Sequence, residues 1–221
     1  RTLGLLFPVA VQSTYPFVWR FLEGLPEADN TAVFMLATLH LFSGGLVGPV
    51  KRLLSAKGYR PTGAKEVRMP SNFFRRHVSE DADEKKIAQG KSHVREFAEA
   101  LAQGKAHWPR IPLLPDVVGA YSRSPRPWRM LRKVFNFQVN GDKCTRCGTC
   151  VRLCPVGNIQ MEAEGPGFLG RCETCIRCIS FCPENAIFSM RKREFDIYRA
   201  VKAEALLADG LFPAEKSPEE P

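Results

Sequence analysis

The stretch KCTRCGTCVRLCP, Lys143 to Pro155, separates four cysteines by two, two and three residues and sets a proline after the last. RCETCIRCISFCP, Arg171 to Pro183, repeats that spacing 28 residues later. All eight cysteines of the 221-residue chain fall in these two runs: Cys144, Cys147, Cys150 and Cys154, then Cys172, Cys175, Cys178 and Cys182. The same offset relates Lys143 to Arg171 and Ile159 to Ile187, so the region is an internal duplication.

Four chemistries compete for such cysteines. A disulfide framework needs an oxidising compartment, which in turn needs a secretory signal. The opening RTLGLLFPVAVQSTYPF has the outline of one, but a short apolar run ended by a turn reads better as a buried strand. Zinc is satisfied by paired C-x2-C motifs, which leaves the third and fourth cysteines of each run without a task. Inert buried thiols have no reason to share a strict spacing. A cubane cluster needs three thiolates at neighbouring corners and a fourth from another direction. A C-x2-C-x2-C turn supplies the three, and the cysteine before proline reaches across to the other cluster. Two [4Fe–4S] clusters are therefore expected. The first would take Cys144, Cys147, Cys150 and Cys182, and the second Cys172, Cys175, Cys178 and Cys154.

Around the ligands, Pro155 and Pro183 are expected to turn the chain, and Ile159 and Ile187 to start strands. Glu162 to Gly167 reads as a hairpin turn, and Phe135 to Val139 can pair with Ile187 to Met190. Val151, Ile176, Ile179 and Phe181 would keep water from the sulfurs, which also tunes potential. From about Phe135 to Met190 the chain resembles the bacterial two-cluster ferredoxins. That resemblance implies a carrier of single electrons at low potential.

The N-terminal third alternates differently. Leu3 to Val9 is a continuous apolar run, as in a parallel strand buried on both faces. Pro16 can open a helix through Phe17, Val18, Phe21 and Leu22 that ends near Gly24. Ala32 to Ala37 is a second buried strand. A helix over Val50, Leu53 and Leu54 follows, closed by Gly58, and Thr62 to Val67 suits an edge strand. Next comes a helix from Asp81 to Gln103, with Asp81 and Glu84 as a capping box. Its apolar face is Ile87, Val94, Phe97, Ala98 and Leu101. The order β-α-β-α-β argues an open parallel sheet.

The phrases LGLLFPV, VFMLATLHLFSGG and KRLLSAKGYRPTGAKEVRMPSNFF resemble the flavodoxin-like part of a flavodoxin–ferredoxin fusion family. The resemblance implies an α/β plus α+β chain: a partial flavodoxin-like parallel sheet over 1–104, a basic Pro-rich linker over 105–134, a ferredoxin module over 135–192, and a C-terminal helix (Arg191 to Leu207) and tail over 193–221. It also points to FMN. Flavodoxins hold the FMN phosphate on a Ser/Thr- and Gly-rich loop after the first strand, and no such loop precedes Leu3. The flavin-flanking loops, Pro8 to Tyr15 and Thr38 to Gly45, leave Thr38, Ser43, Gly44 and Gly45 as candidate contacts, with FMN expected only where further N-terminal sequence brings a phosphate loop. The competing reading of SGG is a turn into the next helix. His40 reads as structural or exposed. The apolar strand Leu3 to Val9 has nothing upstream to pair with, so more N-terminal sequence, or another chain, is expected to cover its edge.

The formal charge of +9 is concentrated in residues 51–133, which carry nineteen basic and eight acidic side chains. Within it, Trp108, Tyr121 and Trp128 interleave with Arg110, Arg123, Arg126 and Arg129. That composition fits a nucleic-acid or membrane-surface patch, the docking of an acidic redox partner, or a linker with packed aromatics and a solvated basic face. The linker is preferred, since charge runs usually face solvent, and nucleic acid is disfavoured. No membrane span is expected, and oxygen-sensitive clusters suggest a reducing cytoplasm. No nucleophile, acid–base pair or substrate pocket is legible. The chain reads as an electron carrier, with an iron–sulfur or docking subunit of a larger reductase complex as the alternative.

Overall fold

A computed structural model describes residues 1–71, 79–109, 114–189 and 203–204. The expected C-terminal tail and nearly all of the Arg191–Leu207 helix lie outside the described residues, as does RMPSNFF beyond Ser71. Two compact units are present, and the division falls between Trp128 and Arg129.

In the first unit, β1 (Thr2–Pro8), α1 (Pro16–Glu23), β2 (Ala32–Leu39), α2 (Val47–Ala56) and β3 (Arg60–Arg68) follow the expected alternation. The strands form one parallel sheet in the order β1-β2-β3. Pro16 starts α1 and the Gly24 N–H closes it on the Arg20 and Leu22 carbonyls. Helix α2 begins at Val47, ahead of the expected Val50, Leu53 and Leu54 positions. Gly58, just past α2, adopts φ +80°, and a Cβ there would run into the Ala28 carbonyl. Only glycine suits both conditions.

Leu22, Val33, Met35, Ala37, Val50 and Leu54 form the core on one sheet face. On the other face, α3 (Glu80–Ala102) packs Phe97 against Leu36 and Val67. Phe97 also meets Phe34 edge-on at 6.3 Å. Burying one such phenyl ring contributes about 2–3 kcal/mol. The cap of α3 is Ser79, whose hydroxyl accepts from the Ala82 N–H at 3.3 Å, and not the expected Asp81. Serine binds the orphan amide of the first turn, while Asp81 lies inside the helix.

Strand β1 is not buried on both faces. Only Leu5 is fully enclosed, and Leu6 is 66% exposed. Among the described residues β1 pairs with β2 alone, and α3 lies against β3, so one face and one edge of β1 stay open. An apolar run reports strand propensity without reporting which strands have neighbours.

The segment expected as a linker folds with the first unit as far as Trp128. Trp108 is 7% exposed in that unit's core, its indole N–H donates to the Val47 carbonyl at 2.9 Å, and the His107 carbonyl accepts from the Ala64 N–H. Two helices follow, α4 (Leu114–Arg123) and α5 (Pro125–Val134), separated at Ser124 because Pro125 cannot continue α4's hydrogen bonding. Trp128 is buried beside Tyr15, with ring centroids 5.6 Å apart, and donates to the Ser122 carbonyl. The Arg123 guanidinium sits 5.0 Å above the Trp19 ring. Two of the three interleaved aromatics are thus structural, and only Tyr121 stands exposed.

The second unit contains β4 (Phe137–Val139), α6 (Thr149–Arg152), β5 (Ile159–Glu162), β6 (Gly165–Phe168), α7 (Arg177–Ser180) and β7 (Ile187–Ser189). The pairs β4–β7 and β5–β6 are antiparallel. The hairpin turn is only Ala163–Glu164, tighter than expected, since Gly165 already pairs with Glu162. Phe137, Ile159, Ile176, Ile179 and Ile187 form the core with Cys150 and Cys178.

Candidate iron–sulfur centre

The sequence duplication is repeated in the backbone. Left-handed φ values occur at Arg146 and Thr174, at Gly148 and Ile176, and at Gly157 and Asn185, each pair 28 positions apart. Each run therefore coils through the same loop into its short helix, α6 (Thr149–Arg152) or α7 (Arg177–Ser180), and through the same turn after it. Such a conformation at β-branched Ile176 costs of order 1–3 kcal/mol and persists only where its surroundings fix it. The fourth cysteines match too. The Asn158 N–H donates to Cys154 Sγ at 3.1 Å, and the Ala186 N–H to Cys182 Sγ at 3.2 Å.

Among the described residues no three His, Cys, Asp or Glu side chains converge as a single metal ion would require. The thiols are spread instead around open space. Cys144, Cys147, Cys150 and Cys182 all line one hollow that opens to solvent, whose walls include Met161 and Ile187. Three of these cysteines come from the first run and one from the second. Cys147 is exposed, whereas Cys150 and Cys178 are buried.

The electrostatics of five of the thiols follows the same grouping. Burial pushes Cys150 up to about 11, with hydrogen bonding to the Val151 amide opposing it and Cys147, Cys182 and Cys144 adding like charge. Burial also pushes Cys175 up to about 11 and Cys178 well above its ordinary value, and here the added charge includes Cys172 and Cys154. Cys172 is raised by burial, with Cys154 again contributing. Cys178 feels Cys150 as well, so the two groups adjoin. Cys147 differs: burial raises it, but hydrogen bonds to the Thr149 side chain and backbone, with Thr145, hold it below the ordinary thiol range. Thiolates gathered this closely, with Cys150 and Cys178 buried, need a strong positive charge to compensate them. Iron in a cluster supplies it, since coordinating thiols are deprotonated outright. The donor set fits iron–sulfur ligation, being all sulfur, apolar-walled and served by N–H···S bonds.

Residues 131–187 match the family described as "4Fe-4S dicluster domain". A stretch of 69 residues is 32% identical to pyruvate synthase subunit PorD of Methanocaldococcus jannaschii, covering 30% of this chain and 76% of that protein. The chain belongs to the dicluster ferredoxin family. This ferredoxin region carries iron–sulfur clusters and serves electron transfer. Among the described residues no helix is long and apolar enough to cross a membrane.

Two residues of the ferredoxin site escaped the cysteine pattern. Asn158 is 2% exposed, and its side-chain oxygen accepts from the Arg171 N–H, at the entry to the second run. Arg132 donates from Nη1 to the Cys172 carbonyl at 3.3 Å. Asn158 had a signal in the duplication, because its counterpart 28 positions on is Ala186. Arg132 had none, since it stands 40 residues from the cysteine it meets.

The candidate flavin contacts sit at the C-terminal ends of the first unit's strands. The Gly44 and Gly45 amides both donate to the Gln12 carbonyl, at 3.0 and 2.8 Å. They join two loops to each other rather than standing open to a ligand, which is the turn-into-helix reading. The Thr38 carbonyl accepts from the Val9 N–H, and the Ser43 hydroxyl donates to the Glu66 carboxylate. His40 is half-buried beside them.

Glu66 provides a pH test of this region. Burial raises its carboxyl above the ordinary range, and the Ser43 hydrogen bond only partly opposes that. A raised carboxyl favours the protonated folded state. Its contribution is complete below the ordinary Glu value, about pH 4.3, and is lost as pH climbs through the folded value. Glu66→Gln keeps an acceptor for Ser43 and has no charge to bury. The variant should melt above the wild type at neutral pH, with the gap closing as pH falls to about 4. Thermal unfolding of both proteins across that range is the measurement, and a constant gap would remove Glu66 ionisation as its cause.

Proposed function

We propose that the second unit holds two [4Fe–4S] clusters and passes single electrons at low potential between partner proteins. Cys144, Cys147, Cys150 and Cys182 hold the first cluster, and Cys172, Cys175, Cys178 and Cys154 the second. The hollow lined by three cysteines of one run and the last of the other carries this reading. The mutual influence of Cys154 with Cys172, Cys175 and Cys178 supports its other half.

When bound, each cluster supplies a one-electron acceptor that takes up no proton. The protein's own residues do the rest. Ile176, Ile179 and Ile187 exclude water from the buried side, and the Asn158 and Ala186 amides orient the crossing cysteines. Thr149 hydrogen-bonds the exposed Cys147, the point of the first set nearest solvent.

The first unit is a flavodoxin-like platform joined to this module, supported by its parallel β-α-β-α-β order. The chain works in the cytoplasm as an electron-transfer subunit of a larger oxidoreductase complex, docking partly through its basic residues. The relative's name, a subunit of pyruvate synthase, supports an assembly of that kind. FMN has a place only where a phosphate loop is supplied.

Anaerobically purified protein should contain about eight irons per chain, four for each cluster. Iron and acid-labile sulfide analysis decides this, and stoichiometric zinc with little iron would refute it. Affinity purification under the same conditions should recover a catalytic subunit; a chain that shuttles electrons alone counts against the complex.

A further inference from the structure

The two sets of thiols differ in their surroundings. In the first, Cys147 is exposed and its sulfur lies 3.4 Å from the Thr149 hydroxyl. In the second, Cys178 is buried, Cys154, Cys172 and Cys175 are half-buried, and a cation approaches Cys172 from α5. That cation is Arg132. Its Nη1 donates to the Cys172 carbonyl at 3.3 Å in a half-buried setting. That hydrogen bond holds the guanidinium charge against the backbone of a residue whose sulfur belongs to the second set.

A [4Fe–4S] centre held by four thiolates gains one negative charge when it accepts one electron. No bond forms or breaks, and no proton moves. Apolar burial disfavours that added charge, and a nearby cation favours it. Arginine does not deprotonate in proteins, so its help is constant with pH.

We propose that Arg132 is a positioning residue whose fixed charge raises the reduction potential of the centre held by Cys172, Cys175, Cys178 and Cys154. This rests on the two-cluster reading above. Its consequence is that the more buried centre stays reducible by the same donor as the more exposed one, so that an electron can pass in either order.

The test is an anaerobic, EPR-monitored potentiometric titration of the full chain as wild type, Arg132→Gln and Arg132→Lys. Cys172→Ser identifies which signal belongs to the second set. In Arg132→Gln that midpoint should move to lower potential while the other stays, with iron content unchanged. In Arg132→Lys, which keeps the charge, it should hold. Unmoved midpoints in a fully loaded Gln variant would overturn the proposal. Equal lowering in both variants would do so as well, because it would assign the effect to hydrogen-bond geometry. Should the Gln variant lose its iron, the Lys variant decides: a held midpoint supports the charge, and a lowered one sinks it. Wild-type protein loaded with zinc would instead defeat the two-cluster reading, an outcome that iron analysis separates from any midpoint.

Discussion

Replacing Cys154 with serine should cost the protein about half of its iron, leaving about four atoms per chain. The loss should fall on the centre of the other run. Cys154 lies in the first run by sequence, yet its charge acts on Cys172, Cys175 and Cys178. The Asn158 amide holds its sulfur in place at 3.1 Å. Serine offers a harder oxygen donor on a shorter bond, so the affected centre becomes labile and is lost. Cys182→Ser should do the mirror-image damage at the hollow lined by Cys144, Cys147 and Cys150. EPR of the reduced variants separates the outcomes. The magnetic interaction between two adjacent centres should vanish in both, while the surviving signal differs. If Cys154→Ser instead removed the signal that Cys144→Ser removes, the crossed assignment would be wrong.

Trp108→Ala should destabilise the first unit by about 3–5 kcal/mol, the range for deleting a large buried side chain. The indole fills the core beside α2 and satisfies the Val47 carbonyl through its N–H. Trp108→Phe keeps much of the volume and loses the hydrogen bond, so it should cost about 1–3 kcal/mol for the unpaired carbonyl. Urea unfolding followed by far-UV circular dichroism measures both, and visible absorbance reports the clusters separately. A loss below about 1 kcal/mol for Trp108→Ala, as at an ordinary surface site, would return this segment to the status of a linker.

The cysteine spacing made the second unit legible, because ligand geometry demands a fixed interval and a proline after the last sulfur. Four of the spaced cysteines line one hollow, and Ile159 and Ile187 open strands where the pattern put them. The parallel sheet was legible from apolar runs and punctuation at Pro16, Gly24 and Gly58. The exposure of β1 was not, since Leu6 is as apolar as Leu5 and only the third dimension leaves one of them uncovered. Composition misled in the basic segment. Arginine beside tryptophan reads as a surface patch, yet Trp108 and Trp128 are both buried and Arg123 rests on Trp19. Arg132 was invisible for a plainer reason, because a tertiary contact across 40 residues leaves no local trace.

The hollow that takes three sulfurs from the first run and its last from Cys182 also sets an order in time. A growing chain exposes Cys144, Cys147 and Cys150 well before it contains Cys182, and nothing in the first half alone can close the ring. With the ligand sets proposed above, loading of the first centre would wait until translation has passed Cys182. A premature stop between the two repeats would yield neither one centre nor half the function, but an open set of thiols exposed to oxidation or to stray metal. On the proposed ligand sets, each half of the duplication depends on the other for one ligand.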